Sequence, residues 1–229
     1  MMLFKFVSVV IIGYLLGSIP FGLLIAKRYA RVDVTKYGSG KTGATNVLRT
    51  AGRKPAIMVT LLDLAKGVLA VVFAGLIVGK GYLVVGGVGL GALVAEVLAA
   101  LATIVGHNWS VFLKFRGGRG VAPFFGGLVA LCPPAAIFGG EIIIIGAGLT
   151  RYVSLGSIAG AVGSYVVLVP LTIMNGFPIE YIFYALVGTI IIFVMHRDNI
   201  ARLIAGKERK LGEKVKRRAS SSDRTGGAG

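Results

Sequence analysis

Long uncharged stretches alternate with short polar stretches along most of this chain. The first uncharged run, residues 6–26, contains 21 residues, and as a helix it would extend about 30 Å, the thickness of the hydrocarbon core of a bilayer. The pattern therefore predicts an all-α, polytopic integral membrane protein with seven transmembrane helices. The predicted spans are residues 4–26, 55–79, 82–105, two segments within 121–150, 155–174 and 179–195.

The apolar stretch 121–150 is divided in two because Cys132-Pro133-Pro134 lies near its middle, and a proline pair interrupts a helix. Seven spans place the two chain ends on opposite sides of the membrane. With the N-terminus outside, 22 of the 25 Lys and Arg residues face inward. Because cytoplasmic loops carry the excess of Lys and Arg, we expect the C-terminus to be cytoplasmic.

Composition supports a membrane protein and narrows its partners. Hydrophobic residues make up 55% of the chain and charged residues 15%. The net charge of +16 favours anionic lipid and an anionic substrate over nucleic acid. The single cysteine excludes an internal disulfide and a cysteine-rich metal site, and no metal or cofactor is predicted. We expect a membrane domain at 1–210 and a basic, Ser/Gly-rich, disordered tail at 211–229.

The glycine-rich stretch 37–52, YGSGKTGATNVLRTAG, superficially resembles two nucleotide-binding loops. Gly38, Gly40 and Gly43 have the G-x-G-x-x-G spacing, but the apolar run before them is too long to be a Rossmann strand. A P-loop is excluded because its first glycine would fall on Thr35. Both nucleotide-binding interpretations therefore fail.

Three polar blocks, at 38–49, 106–120 and 196–208, share the predicted inner face. Glycine-rich backbone can turn several N–H groups toward one anion, and guanidinium groups add charge-assisted hydrogen bonds. The sequence therefore predicts a site for one or two phosphate groups. The candidate residues in these blocks are Gly38, Ser39, Gly40, Thr45, Asn46, Arg49, His107, Lys114, Arg116, Gly118, Arg119, His196, Asn199 and Arg202.

The same three blocks resemble the signature motifs of the PlsY family, the bacterial acyl-phosphate:glycerol-3-phosphate acyltransferases. The matching segments read GSGKTGATNVLR, GHNWSVFLKFRGGRG and HRDNIARLIAGKE, and shorter similarities occur at 15–22, 62–67 and 151–158. The chain departs from the family pattern where Lys41 replaces Asn, Ser110 replaces Pro, and Arg116 and Arg119 replace Lys.

The resemblance implies a seven-helix enzyme of the bacterial plasma (inner) membrane whose active site is cytoplasmic. It would move the acyl group of an acyl phosphate to the 1-hydroxyl of glycerol 3-phosphate, giving lysophosphatidate and inorganic phosphate, with membrane lipid as its other partner. The resemblance also implies roles for residues. Phosphate would be held by Ser39, Thr45, Asn46, Arg49 and Arg119, and the glycerol 3-phosphate pocket would be completed by His196, Asn199 and Arg202.

Direct transfer without an acyl-enzyme is expected, with Ser39, His196 and Asn199 as the catalytic candidates. Neither histidine begins an H-x-x-x-x-D pair, and the chain has no G-x-S-x-G elbow. The phosphate of the substrate could accept the proton, and His196 acting as general base is the alternative. His107 is expected to order its own loop.

Ionisable residues within the predicted spans leave a second function open. Asp63 and Lys66, three residues apart on one helix, are expected to pair with each other or to brace the first loop. Glu96 and Glu141 have no evident local partner; they would suit proton relay in a transporter of a phosphorylated solute, or would simply face the interior of the bundle. A transporter, however, would gather its polar residues near the membrane midplane, whereas the three polar blocks lie at one surface.

Overall fold

The computed structural model describes residues 1–213, and this part of the chain is mainly helical. Most of the predicted tail, 214–229, lies outside the described residues. The helices of the described part are α1 (Met2–Ser18), α2 (Phe21–Ala30), α3 (Ala44–Ala51), α4 (Arg53–Val78), α5 (Ala92–Asn108), α6 (Val121–Leu131), α7 (Pro133–Thr150), α8 (Val153–Asn175), α9 (Ile179–Met195) and α10 (Arg197–Ile204).

Five helical segments are long and apolar enough to cross a membrane, and α9 with α10 makes a sixth if this pair, bent by 61°, is taken together. The predicted division at Cys132 is present, since α6 ends at Leu131 and α7 begins at Pro133. At 11 residues, α6 is only about 16 Å long, too short to cross a bilayer on its own. The structure therefore supports five or six spans, and the count of seven stays a prediction.

The first span is interrupted at Ile19 and Pro20, where the sequence predicts one unbroken helix. Pro20 cannot continue the backbone hydrogen bonds of α1, so carbonyl groups are freed within an apolar environment. The Lys66 ammonium donates to the carbonyls of Gly17 and Ile19, and the Ser110 hydroxyl donates to the last carbonyl of α1. Polar side chains from two other elements thus stabilise the break.

A β-hairpin replaces the first part of the predicted span 82–105. Strands β1 (Leu83–Val85) and β2 (Val88–Leu90) pair antiparallel, and Gly86 and Gly87 form the turn with φ of 57° and 84°. Two adjacent residues with positive φ match the turn that suits hairpin twist. The expectation of an entirely α-helical chain is therefore wrong at this point, and α5 begins ten residues later than predicted.

Glycines let the main helices approach closely around the core. Added Cβ atoms at Gly13 and Gly17 of α1 would overlap the α5 backbone, and one at Gly126 of α6 would overlap the α4 backbone. Small residues at such crossings are typical of helix packing in membranes. In the core, the buried Tyr184 of α9 donates its hydroxyl hydrogen to the carbonyl of Phe124 in α6, at 2.9 Å. This packing holds α4, α6 and α9 around the two polar loops, which contain the polar blocks 38–49 and 106–120.

Candidate active site

A cavity of about 510 Å³ lies where the two polar loops meet α4, α6, α7, α8 and α10. One part of its wall is apolar and includes Leu64, Val121, Phe125, Val129 and Ile143. The other part is polar, and it suits a ligand with a charged head and an apolar tail. The predicted site residues that line the cavity are Ser39, Thr45, Asn46, Arg49, His107, Arg119, His196 and Asn199.

Asn46 shapes the first polar loop from inside. Its side-chain nitrogen lies 2.9–3.1 Å from the carbonyl oxygens of Val34, Tyr37 and Lys41, and its Oδ1 accepts from the Ser39 backbone N–H at 3.4 Å. The residue is only 3% exposed. Its amide is therefore committed to the loop backbone, in contrast to the phosphate-binding role that the resemblance implies.

The two glycines on either side of Ser39 adopt left-handed backbone conformations, with φ of 55° at Gly38 and 69° at Gly40. Neither glycine lines the cavity, so their contribution is the turn that presents Ser39 and Thr45 to it. The Ser39 Oγ accepts from the Lys41 backbone N–H at 3.4 Å, which leaves its own O–H free to donate.

Arg49 lies one helical turn beyond Thr45 on α3 and reaches across the cavity to the segment after α10. Its terminal nitrogen donates to the carbonyls of Arg209 and Lys210 at 3.2 and 3.3 Å. Its Nε has no hydrogen-bond partner among the described residues. Burial and the neighbouring Arg209 lower the pKa of Arg49, yet a guanidinium stays charged at neutral pH.

The second polar loop is tied to α5 at His107. The backbone N–H of Gly118 donates to the His107 carbonyl at 3.0 Å, and a Cβ at Gly118 would overlap the His107 ring. The His107 Nδ1 lies 3.6 Å from an Asp63 carboxylate oxygen, which also pairs with Lys66 at 2.8 Å. The predicted pairing of Asp63 with Lys66 is confirmed, and Gly118 serves close packing rather than lining the cavity.

Arg119 follows this close contact and enters the cavity. Its Nε is buried and has no hydrogen-bond partner within residues 1–213, and no carboxylate of the described part lies within ion-pair distance of it. Burial, only partly offset by Glu208, lowers the pKa of Arg119 to about 10. The guanidinium is therefore charged at neutral pH, and its Nε–H is available to donate a hydrogen bond to a ligand.

His196 follows the last residue of α9 and is 2% exposed. Its Nδ1 lies 2.8 Å from the Ile192 carbonyl; because a carbonyl can only accept, the proton belongs on Nδ1 and Nε2 is left as an acceptor. Burial and the nearby Arg119 lower the pKa of His196 to about 4. The ring is thus neutral at pH 7, and folded-state stability falls as pH drops from about 6.5 toward 4.

Glu208 organises the polar end of the cavity, although sequence reasoning did not select it. Its carboxylate accepts from Ser154 Oγ at 3.1 Å, Asn199 Nδ2 at 2.6 Å and Arg202 Nε at 2.7 Å. Arg202 does not line the cavity and is instead the ion-pair partner of Glu208. The available signal was the acidic residue that ends the third polar block, HRDNIARLIAGKE.

Comparison with known proteins agrees with this geometry. The family model described as glycerol-3-phosphate acyltransferase matches residues 7–206. A glycerol-3-phosphate acyltransferase 3 of Dehalococcoides mccartyi is 62% identical over 93% of this chain and 99% of its own length. A glycerol-3-phosphate acyltransferase of Thermus thermophilus is 42% identical over 91% of this chain and 96% of its own.

The crystal structure of PlsY, an integral membrane glycerol 3-phosphate acyltransferase, in its glycerol 3-phosphate form has a TM-score of 0.77 and 35% identity to this chain. The alignment covers 90% of this chain and 96% of that one. A lysophosphatidic acid form of PlsY has a TM-score of 0.75. This chain belongs to the PlsY glycerol-3-phosphate acyltransferase family.

The positions where this PlsY-family chain departs from the family pattern fall in different environments. Lys41 and Arg119 line the cavity, and burial together with Arg119 lowers the pKa of Lys41. Ser110 braces the break after α1. Arg116 and its neighbour Lys114 are exposed and do not line the cavity, which does not support their prediction as substrate ligands.

Proposed function

We propose that this protein transfers the acyl group of an acyl phosphate to the 1-hydroxyl of glycerol 3-phosphate, releasing lysophosphatidate and inorganic phosphate. One observation carries the proposal: a single cavity joins a cation-rich end to an apolar wall. Both substrates carry phosphate, and one of them also carries an acyl chain. A cavity of this composition can hold the two reactants side by side.

The cationic end supplies Lys41, Arg49 and Arg119 to the cavity. Glu208, which also lines the cavity, already accepts hydrogen bonds from Asn199 and Arg202. The remaining positive charge can neutralise the two phosphates and bring the reactants together, which is the main task for an already activated acyl donor.

The apolar wall accounts for the acyl chain. Phe125 of α6 and Ile143 of α7 line the cavity, as do Val129 and Ile144. Val129 and Ile144 are 48% and 74% exposed, respectively, on the surface of the bundle. The cavity wall therefore continues to the outer surface of the helices, where a chain could enter from the membrane.

Direct transfer needs no covalent enzyme intermediate. The 1-hydroxyl oxygen attacks the carbonyl carbon, and the bond from that carbon to the phosphate oxygen breaks with its electron pair going to phosphate. The hydroxyl proton passes to a phosphate oxygen, so the products balance as ester and hydrogen phosphate. His196, whose pKa is about 4, is a weak base, and its Nε2 orients the hydroxyl by accepting its hydrogen bond.

Purified protein in lipid vesicles tests the proposal when it is supplied with palmitoyl phosphate and glycerol 3-phosphate. Equimolar lysophosphatidate and inorganic phosphate are expected, whereas palmitoyl-coenzyme A as the donor is expected to give no product. Efficient transfer from the thioester with none from palmitoyl phosphate would contradict the assignment of the donor.

Ser39 is expected to donate a hydrogen bond and never to be acylated. No histidine or lysine nitrogen is hydrogen-bonded to its Oγ, so nothing among the described residues activates it as a nucleophile. Ser39→Ala should lower kcat/KM about tenfold through loss of one donor to a charged group. Mass analysis after incubation with palmitoyl phosphate alone should find unmodified protein; an adduct on Ser39 that transfers to added glycerol 3-phosphate would establish the opposite mechanism.

We also propose that the cavity faces the cytoplasm of a bacterial inner membrane. The two ends of α4 provide a matched test, since Lys54 and Lys80 are both exposed and lie just inside its start and just beyond its end. In a Cys132→Ala background, an impermeant maleimide added to intact cells should label Lys80→Cys and spare Lys54→Cys. The reverse labelling pattern would invert the topology.

A further inference from the structure

The loop between α5 and α6 has two faces. Its last residues turn inward to place Arg119 in the cavity, while the preceding residues, 109–116, are largely exposed. Phe112 and Phe115 are 59% and 64% exposed, which is unusual for aromatic side chains unless another surface covers them. The exposed apolar and basic side chains of this loop are Trp109, Val111, Phe112, Lys114, Phe115 and Arg116.

The exposed arrangement is held firmly. The Tyr14 hydroxyl of α1 donates to the Trp109 carbonyl at 2.9 Å, and the Phe115 backbone N–H donates to the Ser110 carbonyl at 2.9 Å. Lys114 and Phe115 both have left-handed backbone conformations, with φ of 53° and 58°. Non-glycine residues adopt this region at an energetic cost, and such strain is typically retained where it serves recognition.

The loop also lies at the expected level of the membrane surface. α5 has 17 residues and is about 25 Å long, most of the thickness of the hydrocarbon core, so Trp109, which follows it, lies near the boundary of the core when α5 crosses it. Aromatic side chains favour this boundary, and Lys and Arg attract anionic lipid headgroups there. No carboxylate among residues 1–213 pairs with Lys114 or Arg116.

We infer that residues 109–116 form a binding site for anionic phospholipid headgroups. Lys114 and Arg116 contact the lipid phosphates, and Trp109, Phe112 and Phe115 insert between the neighbouring acyl chains. The two cations are thereby lipid ligands, and this site is separate from the phosphate-binding end of the cavity, to which Arg119 contributes three residues later.

Trp109 is the only tryptophan of the chain and reports on this loop directly. The full-length protein is reconstituted in phosphatidylcholine vesicles that contain a minor fraction of brominated phosphatidylglycerol or, separately, of brominated phosphatidylcholine. Trp109 fluorescence should be quenched more strongly by the anionic lipid at equal mole fraction. The preference should shrink as salt screens the attraction. Equal quenching by both lipids, as expected if another protein or nothing covers the loop, would refute the inference.

Variants identify the cations responsible. Lys114→Gln and Arg116→Gln should each lower the preference for the anionic lipid about fivefold, as expected for one cation near an anionic surface. Lys80→Gln, which removes an exposed cation just beyond the end of α4, should retain the preference for the anionic lipid. Lys114→Arg and Arg116→Lys, which keep the positive charge, should also retain this preference, and this separates loss of charge from misfolding. A preference that survives both glutamine substitutions would overturn the assignment.

Inorganic phosphate distinguishes a headgroup site from a site for the free anion. When phosphate replaces chloride at constant ionic strength, Trp109 quenching by brominated phosphatidylglycerol should not change. A selective loss of quenching with phosphate would instead place a soluble anion on Lys114 and Arg116 and contradict lipid binding.

Discussion

Arg119→Ala is expected to lower kcat/KM at least about a hundredfold. The Arg119 guanidinium faces the cavity, is largely buried, and has no carboxylate of the described residues as an ion-pair partner. A donor that meets developing charge in a water-poor site contributes about a hundredfold or more to rate. Loss of a charge-assisted bond to ground-state phosphate adds about 1.5–3 kcal/mol. Steady-state kinetics with each substrate varied in turn provide the measurement.

Two further variants make this result specific. Arg119→Lys keeps the charge but loses the planar pair of donors, so an intermediate activity is expected. Arg53→Ala removes an exposed arginine at the start of α4, outside the cavity, and should leave the kinetics unchanged. If Arg119→Ala kept wild-type kcat/KM, the phosphate-binding assignment of this end of the cavity would be wrong.

The membrane architecture could be predicted because it depends on short, continuous stretches of the sequence. A run of some twenty uncharged residues has few stable arrangements other than a helix in lipid. Cys132-Pro133-Pro134 divides an apolar stretch for a reason that belongs to proline itself. The pairing of Asp63 with Lys66 follows from a three-residue spacing on one helix. The hairpin at Leu83–Leu90 was missed because its valine-rich, uncharged strands have the hydropathy of a span.

The direction of side chains in the polar loops could not be predicted in the same way. Arg116 and Arg119 are three residues apart in a glycine-rich stretch, yet one is exposed and the other lines the cavity. What separates them is the contact of Gly118 with His107, which depends on how α5 packs. The contacts of the Asn46 amide were equally hard to predict, because its three carbonyl neighbours come from distant parts of its loop.

Glu208 shows why a site can depend on a residue that no substrate argument selects. A phosphate-binding site suggests cations, and a carboxylate there would be expected to repel the ligand. In the structure this carboxylate accepts from the Asn199 amide at 2.6 Å and from Arg202 at 2.7 Å. The carboxylate therefore fixes the orientation of Asn199 beside His196 and consumes the charge of Arg202.

Glu208→Ala is accordingly expected to cost both stability and activity. Its removal leaves the buried Asn199 amide without this acceptor and leaves Arg202 without its ion-pair partner. Loss of one member of a buried ion pair costs about 3–5 kcal/mol, and a value near the lower limit is expected because Arg202 stays 30% exposed to solvent. Thermal unfolding in detergent should show a lower midpoint, and kcat/KM should fall at least about tenfold because Asn199 is no longer held.

Glu208→Gln and Glu213→Ala separate the loss of the hydrogen bond to Asn199 from the loss of the charge that pairs with Arg202. The glutamine side chain can still accept from Asn199 but lacks the charge that pairs with Arg202, so it should retain more stability than alanine. Glu213, which within residues 1–213 accepts only from the exposed Lys210 backbone N–H at 3.0 Å, is the matched control, and Glu213→Ala should match wild type. Wild-type stability and activity in Glu208→Ala would mean that Asn199 is positioned by other groups, because Glu208, the only side chain of residues 1–213 that is bonded to its amide, would then be dispensable.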